Sequence, residues 1–360
     1  MTQCNASITI GGMTVNPGER KTVDLVVGKL YTHSELTMPV QIICGKQQGP
    51  VLFVSAAIHG DELNGVEIIR RLLKVESLNE LKGTLIAVPI VNLHGFINHT
   101  RYLPDRRDLN RSFPGSVKGS IAGRMAHLFL NEIVKKATHG IDLHTGAINR
   151  SNLPQVRANL DDKETMRMAE AFSAPLMLNS NLRDGSLRAA AVKKNIPILL
   201  YEAGEALRFD ELSIRGGVRG VINVMRELEM LELDMHDQHA SSGDTQQKKP
   251  IIAETSFWMR APHSGIFRSM VKDGKHVIAN ETLLGVISDP FGESEVEIVS
   301  PSNGIIIGHM KLPLVNEGEA LYHIAKFARS DIAAESVDEF HVDMSDDSVL
   351  PYPTEDIPDF

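Results

Sequence analysis

Cysteine is scarce in this chain of 360 residues, where Cys4 and Cys44 are the only two. Two cysteines cannot form the disulfide framework of a small secreted domain, and neither has a cysteine or histidine partner at zinc-finger spacing. Apolar runs are also short, since none approaches the ~18 residues of a membrane-spanning helix. Residues 1–12 lack the basic start and apolar core of a secretory signal. These absences predict a soluble, cytoplasmic protein without a membrane partner.

Lysine and arginine are absent from residues 331–360, which contain ten acidic residues. This segment carries a charge of −10 and the whole chain carries −9, so residues 1–330 are nearly neutral at +1. Nothing indicates a basic surface for nucleic acid, and we expect no nucleic-acid partner. A one-sided acidic segment is usually solvated or loosely attached, so we interpret residues 329–360 as an acidic tail.

The stretch of residues 51–65 organises the rest of the chain. Its apolar start, residues 51–58, is too short for a typical helix and predicts a strand buried on both faces. His59, Asp61 and Glu62 follow at the end of this strand. Open α/β sheets bind ligands at the carboxyl ends of their strands. His-x-x-Glu therefore places an imidazole and a carboxylate where both can converge on one divalent ion.

Predicted strands and helices alternate over residues 47–235, which indicates an α/β domain. Two further strands in this region end in ionisable side chains, His144 and Glu202. Together with His59 and Glu62, they supply three candidate metal ligands and one spare carboxylate. Catalytic zinc takes three protein ligands and keeps an open position, and a carboxylate beside it can move protons. This inventory is typical of metal-assisted hydrolysis.

A long irregular stretch, residues 92–119, lies between a predicted strand and a predicted helix. Loops of this length inside a compact domain are usually functional or disordered. The loop contains the run Asp108-Leu-Asn-Arg111 and is rich in arginine, with Arg101, Arg106, Arg107 and Arg111. A local positive cluster in a nearly neutral body suggests an anionic ligand.

Four motifs stand in order along the chain: His59-Gly-Asp-Glu62, Asp108-Leu-Asn-Arg111, Asp142-Leu-His144 and Glu202-Ala-Gly204. Together they resemble the succinylglutamate desuccinylase/aspartoacylase family of the zinc carboxypeptidase superfamily, over roughly residues 40–325. The resemblance implies an α/β fold with a mixed central sheet flanked by helices. It implies one zinc ion per chain on His59, Glu62 and His144. It also implies that Glu202 is the general base and acid.

The resemblance further implies that Asn110 and Arg111 hold the carboxylate of the substrate. A guanidinium group is a planar fork that matches a carboxylate, and an amide adds a neutral donor. The alternative is that Arg111 pairs with Asp108 or another carboxylate of the loop and stabilises the loop. Arg188 is a further candidate for substrate binding, although its spacing differs from the family pattern. Asp142 is either a partner of a ligand histidine or an ordinary polar residue at a strand end.

The chain departs from the family pattern at the arginine that stabilises the oxyanion, because His94 stands in its place. We favour Arg101 for this role. Arg106 and Arg107 are alternatives, or else solvated loop charges.

The remaining segments carry no assigned chemistry. Residues 1–46 are predicted to form strands that flank the main sheet, and residues 236–250 have the composition of a linker. Residues 251–328 read as a smaller all-β domain with a half-repeat that resembles a biotinyl/lipoyl-type barrel. The hairpin between its halves has no lysine, so a carrier role is not favoured. The repeated segments are Ala261-Pro-His-Ser-Gly265 and Ser300-Pro-Ser-Asn-Gly304.

These observations predict a zinc-dependent amidohydrolase that removes an acyl group from a small N-acylated amino acid or a related amide bearing a carboxylate. A metallocarboxypeptidase acting on peptides is one alternative, and a non-catalytic metal- or ligand-binding protein is another. We expect a small-molecule substrate. Homo-oligomerisation stays open.

Overall fold

The computed structural model describes residues 5–232 and 251–345, and all structural statements below concern these residues. Helices lie at α1 Asn64–Leu72, α2 Leu93–Ile97, α3 Ile121–Glu132, α4 Lys163–Phe172, α5 Leu187–Val192, α6 Glu211–Glu227 and α7 Ser330–Ser345. Strands of the first part are β1 Ile8–Ile10, β2 Met13–Val15, β3 Arg20–Lys29, β4 Glu35–Cys44, β5 Gln47–Ala56, β6 Lys82–Val88, β7 His139–Gly146, β8 Arg150–Ala158, β9 Leu176–Asn179 and β10 Ile198–Glu205. The later strands are β11 Ile251–Ala253, β12 Thr255–Arg260, β13 Gly265–Ser269, β14 His276–Val277, β15 Leu283–Ser288, β16 Glu295–Val299, β17 Gly304–Met310, β18 Leu314–Val315 and β19 Ala320–Lys326.

A large mixed sheet forms the centre of the fold, in the order β12-β19-β17-β8-β10-β7-β5-β6-β4-β3. Strands β6, β5, β7 and β10 are parallel, while β4 and β8 pair antiparallel on either side of them. The four parallel strands are largely buried on both faces, as the sequence predicts for residues 51–58. The mixed α/β architecture expected from the sequence is therefore present.

Helices cover both faces of this sheet. One apolar cluster contains Ile69 of α1, Phe172 of α4 and Val221 of α6. The cluster on the opposite face contains Phe129 of α3 and Leu187 of α5. Strands β3 and β4 of the N-terminal region extend this sheet beyond β6, and β3 lies at its edge.

Strand β8 has no counterpart in the sequence-based prediction. It contains Pro154, which lacks the N–H needed for a ladder hydrogen bond and argues against a central strand. The structure accommodates Pro154 at an irregularity, because the pairing with β10 shifts between Gln155 and Asn152. On its other side, β8 pairs with β17 up to Asn152 and with β9 from Gln155 onwards. The proline therefore occupies the one part of the strand where no register pair is formed.

The C-terminal strands continue the main sheet instead of standing apart from it. Strand β17 pairs with β8, and β11 pairs with β9. A second sheet has the order β16-β15-β13-β18. The half-repeat is visible in the backbone: β13 and β17 begin at Gly265 and Gly304, and the later turns contain Gly274 and Gly318 with positive φ. Its assignment to a biotinyl/lipoyl-type barrel stays a prediction, and the proposed linker at 236–250 lies outside the described residues.

The expectation of a solvated acidic tail is wrong for its first part, which is helix α7. Its apolar residues recur every three or four positions, so they form one stripe that is buried against the body: Ala333, Val337, Phe340 and Met344. The Ser336 hydroxyl donates to the carbonyl of Pro175, and Arg215 donates to the carbonyl of Met344. The acidic side chains occupy the rest of the helix surface. The charge of the segment therefore indicated a solvated tail, although one face of the helix is buried.

Candidate metal centre and active site

The predicted strand ends meet at one edge of the sheet. His144 on β7 and Glu202 on β10 are directly paired in the parallel register. His59 and Glu62 lie in the turn between β5 and α1. Gly60 is required there, because a Cβ at this position would stand 2.0 Å from the carbonyl carbon of Gly95 in α2. The close approach of that backbone fixes the turn that presents both side chains.

His59, Glu62 and His144 form a compact, buried cluster, with exposed fractions of 3 %, 1 % and 5 %. Nδ1 of His59 lies 2.7 Å from Oε1 of Glu62, and Nδ1 of His144 lies 2.8 Å from Oε2 of the same carboxylate. One ligand atom from each residue lies within 4.8 Å of the others. Two imidazole nitrogens and a carboxylate so arranged are suited to one divalent ion such as zinc.

The outer nitrogen of each imidazole contacts a carboxylate. Nε2 of His59 lies 3.2 Å from Oδ1 of Asp108, and Nε2 of His144 lies 2.8 Å from Oδ2 of Asp142. Asp142 is itself held by the hydroxyl of Ser55 at 2.8 Å. Such carboxylates orient a ligand histidine and raise its basicity. Of the two readings left open for Asp142, the structure supports the partner of a ligand histidine.

The electrostatics of the cluster favour positive charge. Burial by itself lowers the pKa of His144, but Asp142 and Glu62 outweigh it and the pKa is raised well above its usual value. Burial likewise opposes the rise in the pKa of His59, which Glu62 and Asp108 cause. The pKa of Glu62 is lowered by both histidines despite its burial. The negative potential that favours imidazolium also favours a divalent cation, so the donor set fits a metal.

Arg101 lies beside this cluster. Its Nη1 lies 3.3 Å from Oε1 of Glu62, and its Nη2 lies 3.1 Å from Oδ2 of Asp108. The side chain comes from the arginine-rich loop and is partly buried. A fixed cation beside the ligand set is suited to stabilise negative charge on a reacting oxygen. The side chains of Arg106 and Arg107 are exposed in the same loop.

Asn110 and Arg111 lie in a 3₁₀ turn that is locked to the start of α5. The side-chain oxygen of Asn110 accepts the N–H of Leu187, so its Nδ2 group is the donor left for a ligand. Gly185 approaches so closely that a Cβ there would stand 2.4 Å from the carbonyl oxygen of Arg111. Within the described residues, Arg111 has no carboxylate at ion-pair distance, because Asp108 pairs with Arg101 and His59 instead. No direct ion pair joins Arg111 to Asp108 within the described residues, although the charge of Arg111 contributes to the lowered pKa of Asp108.

Glu202 is held between two side chains of the unpredicted strand β8. The Nδ2 group of Asn152 donates to Oε1 of Glu202 at 2.8 Å. Nε of Arg157 lies 3.4 Å from Oε2.

Arg188 is buried nearby, and burial, followed by the charge of Arg157, lowers its pKa to about 10. Its Nη1 has no hydrogen-bond partner among the described residues. A buried donor without an acceptor is costly, so this guanidinium is suited to an anionic ligand.

Sequence reasoning missed three functional candidates: Asp108 as a support for His59, and Asn152 and Arg157 beside Glu202. Asp108 was noticed only as part of a motif, and its contact with His59 depends on how the long loop folds. Asn152 and Arg157 were missed because β8 was missed. The available signal was the apolar and polar alternation around Pro154, in a segment lying between two predicted elements.

Comparisons with known proteins identify the family to which the chain belongs. Residues 48–228 match the family model described as "Succinylglutamate desuccinylase/Aspartoacylase catalytic domain". The chain belongs to this family, whose relatives are amide-hydrolysing deacylases. It is 25 % identical over 302 residues to the N-alpha-acetyl-L-2,4-diaminobutyric acid deacetylase of Halomonas elongata, covering 81 % of this chain and 86 % of that protein.

Solved structures show the same fold. The product-bound ectoine utilization protein EutE (DoeB) of Ruegeria pomeroyi superposes with a TM-score of 0.75 at 22 % identity, covering 90 % of this chain and 100 % of the other. A succinylglutamate desuccinylase/aspartoacylase of Rhodobacter sphaeroides gives a TM-score of 0.74 at 22 % identity, covering 86 % and 94 %. Within the described residues, no helix has the length and apolar character needed to cross a bilayer.

Proposed function

We propose that the protein is a zinc-dependent deacylase that hydrolyses the amide bond of a small N-acylated amino acid. The observation that carries this proposal is the buried cluster of His59, Glu62 and His144, with Glu202 on the adjoining strand in register with His144. Three ligands and a neighbouring carboxylate are what metal-assisted hydrolysis needs. Membership of a deacylase family supports the same reaction class.

Each part of the site has a task in this reaction. Zinc, when bound by the cluster, would polarise the amide carbonyl and lower the pKa of water. Glu202 accepts the proton of the attacking water on Oε2 and returns it to the leaving amine. Arg101 stabilises the charge that develops on the carbonyl oxygen. One carboxylate thus serves both proton steps.

Substrate binding is assigned to Asn110, Arg111 and Arg188. Arg111 offers an exposed guanidinium without a carboxylate partner among the described residues, and Asn110 offers its Nδ2 donor beside it. Together they suit the free carboxylate of an amino acid. The buried Arg188 supplies a further cationic donor close to Glu202. The relative from Halomonas elongata, named for an N-acetylated amino acid, supports this substrate class.

A hydrolysis screen tests the proposal. Zinc-loaded and metal-free protein are incubated with N-acetyl, N-succinyl and N-formyl amino acids, N-acetyl-L-2,4-diaminobutyrate among them, and with short peptides. We expect release of a free amine from at least one N-acyl amino acid, only in the zinc-loaded sample. Faster cleavage of the peptides would identify a carboxypeptidase. No turnover of any compound would contradict an enzymatic role.

Metal analysis of His144→Ala tests the ligand set. This variant should lose the bound zinc, because two remaining ligands cannot complete the site. His139→Ala is a matched control on the same strand, since His139 contacts Thr138 and Glu164 at the far end of β7. Equal zinc content in the His144→Ala variant and the wild type would remove His144 from the site.

A further inference from the structure

Asn152 connects the C-terminal strands to Glu202, the proposed catalytic base. It lies on β8 at the only register position where this strand faces β10 on one side and β17 on the other, opposite Gly204 and Gly308. Its Nδ2 group donates to Oε1 of Glu202 at 2.8 Å. Asn152 is 7 % exposed, so the bond is shielded from solvent.

Gly308 of β17 leaves the room that the Asn152 amide occupies. A Cβ at Gly308 would stand 2.5 Å from Oδ1 of Asn152, and 3.0 Å from the carbonyl oxygen of Ser151. The nearest of these atoms, Oδ1 of Asn152, lies at the end of a flexible side chain. An added methyl group would therefore displace the amide of Asn152 first, and it would also press on the backbone carbonyl of Ser151.

We propose that Asn152 is a positioning residue for Glu202, and that Gly308 of the C-terminal strands is required for that positioning. The inference rests on the proposed role of Glu202 as general base. Asn152 holds Oε1, whereas among the described residues Oε2 has only the longer contact to Arg157, so Oε2 is the atom that takes the proton. The C-terminal strands thereby act on the reaction without touching the substrate.

The chemistry of the amide suits this task. Asn152 is neutral, so it fixes the carboxylate without adding a charge to the group that must gain and lose a proton. The charged groups around Glu202 are Arg157 on the same strand as Asn152, Arg188 on α5 and His144 on β7. Those charges stay unchanged when Asn152 is replaced by alanine, so the variant isolates positioning.

Kinetics of Asn152→Ala, Gly308→Ala and the double variant test the proposal, using the N-acetyl amino acid with the fastest turnover in the screen. A misplaced catalytic group typically costs up to ~100-fold in rate. We expect kcat to fall about 10- to 100-fold in Asn152→Ala, with KM and zinc content close to the wild type. Gly308→Ala should lower kcat in the same direction. The double variant should be no slower than Asn152→Ala, because both changes break one contact.

The pH profile separates positioning from a structural role. Asn152→Asp places a second carboxylate against Glu202, and a like charge raises the pKa of its neighbour. The acidic limb of kcat/KM should therefore move to higher pH in this variant and stay in place in the control Gln155→Ala. Gln155 donates to the carbonyl of Ile307, so this control loosens the same junction of β8 and β17 without contacting the oxygens of Glu202.

Several results would overturn the proposal. These are kcat of Asn152→Ala within twofold of the wild type, additive losses in the double variant, or an equal loss in Gln155→Ala. Glu202→Gln is measured alongside. An inactive Glu202→Gln with a fully active Asn152→Ala rejects the positioning role alone, whereas an active Glu202→Gln rejects the proposed base itself.

Discussion

The two sides of the site differ in how far the protein satisfies its own polar groups. On the metal side, both nitrogens of His59 and of His144 contact a carboxylate, and Glu62 also accepts the N–H of Thr145. On the substrate side, Arg111 is exposed without an ion-pair partner and Arg188 has a buried nitrogen without an acceptor, among the described residues.

In the proposed reaction, this difference separates a preorganised part from a part that the substrate completes. The metal side is fixed by hydrogen bonds and burial before any substrate arrives, which keeps reorganisation small during the reaction. The substrate side has hydrogen-bond donors that are left unpaired among the described residues. A buried guanidinium without an acceptor is stabilised most when an anion binds to it. Variants of the two sides should therefore fail in different ways.

The largest effect is expected from Glu202→Gln, which should keep zinc and lose turnover by a factor of ~10² to 10⁴. Glutamine can still accept the hydrogen bond of Asn152 but cannot take a proton. The measurement is kcat together with zinc content. Glu205→Gln is the matched control on the same strand, because Glu205 pairs with Lys311 and accepts the N–H of Asn149. Retention of more than about a tenth of kcat in Glu202→Gln would move the base elsewhere.

Weakening the carboxylate that supports His144 should lower the affinity for zinc. Asp142→Asn keeps the size of the side chain but weakens its bond to His144, and such changes typically cost ~10- to 100-fold in metal affinity. Zinc competition with a chelator measures this. Asp273→Asn is the control, since Asp273 makes the same kind of contact with His309 at 2.8 Å in the C-terminal strands. Unchanged zinc affinity in Asp142→Asn would leave the outer carboxylate without a metal role.

Breaking the substrate side should leave zinc in place and change selectivity. Arg111→Ala should reduce kcat/KM for an N-acyl amino acid about ten- to a hundredfold, as expected for a lost charge-assisted bond. The corresponding C-terminal amide should lose much less. Arg107→Ala, an exposed arginine of the same loop, is the control. Equal discrimination between acid and amide in Arg111→Ala and the wild type would direct attention to Arg188 or Arg101.

The smallest effect on either side of the site is expected from α7, which should govern stability alone. Phe340 is buried against α6, close to Gly216, and Phe→Ala changes in cores cost about 3–5 kcal/mol. Phe340→Ala should therefore lower the thermal unfolding temperature, while zinc content and acid selectivity stay unchanged. Val342, 71 % exposed on the same helix, gives the control Val342→Ala. An unchanged unfolding temperature would restore the view of this segment as a loose tail.

The order of residues along the chain was sufficient to predict the metal side. Apolar runs that end in His59, His144 and Glu202 place these residues at one sheet edge, because parallel strands share their carboxyl ends. Strand β8 was missed despite its alternating pattern, because Pro154 argues against a central strand unless the register is irregular there. Helix α7 was predicted to be a solvated tail, because acidic residues dominate the composition of this segment. Its four buried apolar residues are too few to change that composition. Contacts such as Asp108 with His59 depend on loop folding, which local patterns do not encode.

Strand β8 has one more consequence, which concerns hydrogen exchange. Along one edge it is bonded to β10, and its other edge is divided between β17 and β9. Strand β8 is therefore hydrogen-bonded both to β10 of the α/β region and to β17 of the C-terminal strands. Its amides should therefore exchange only when the whole sheet unfolds, so that the two parts behave as one cooperative unit.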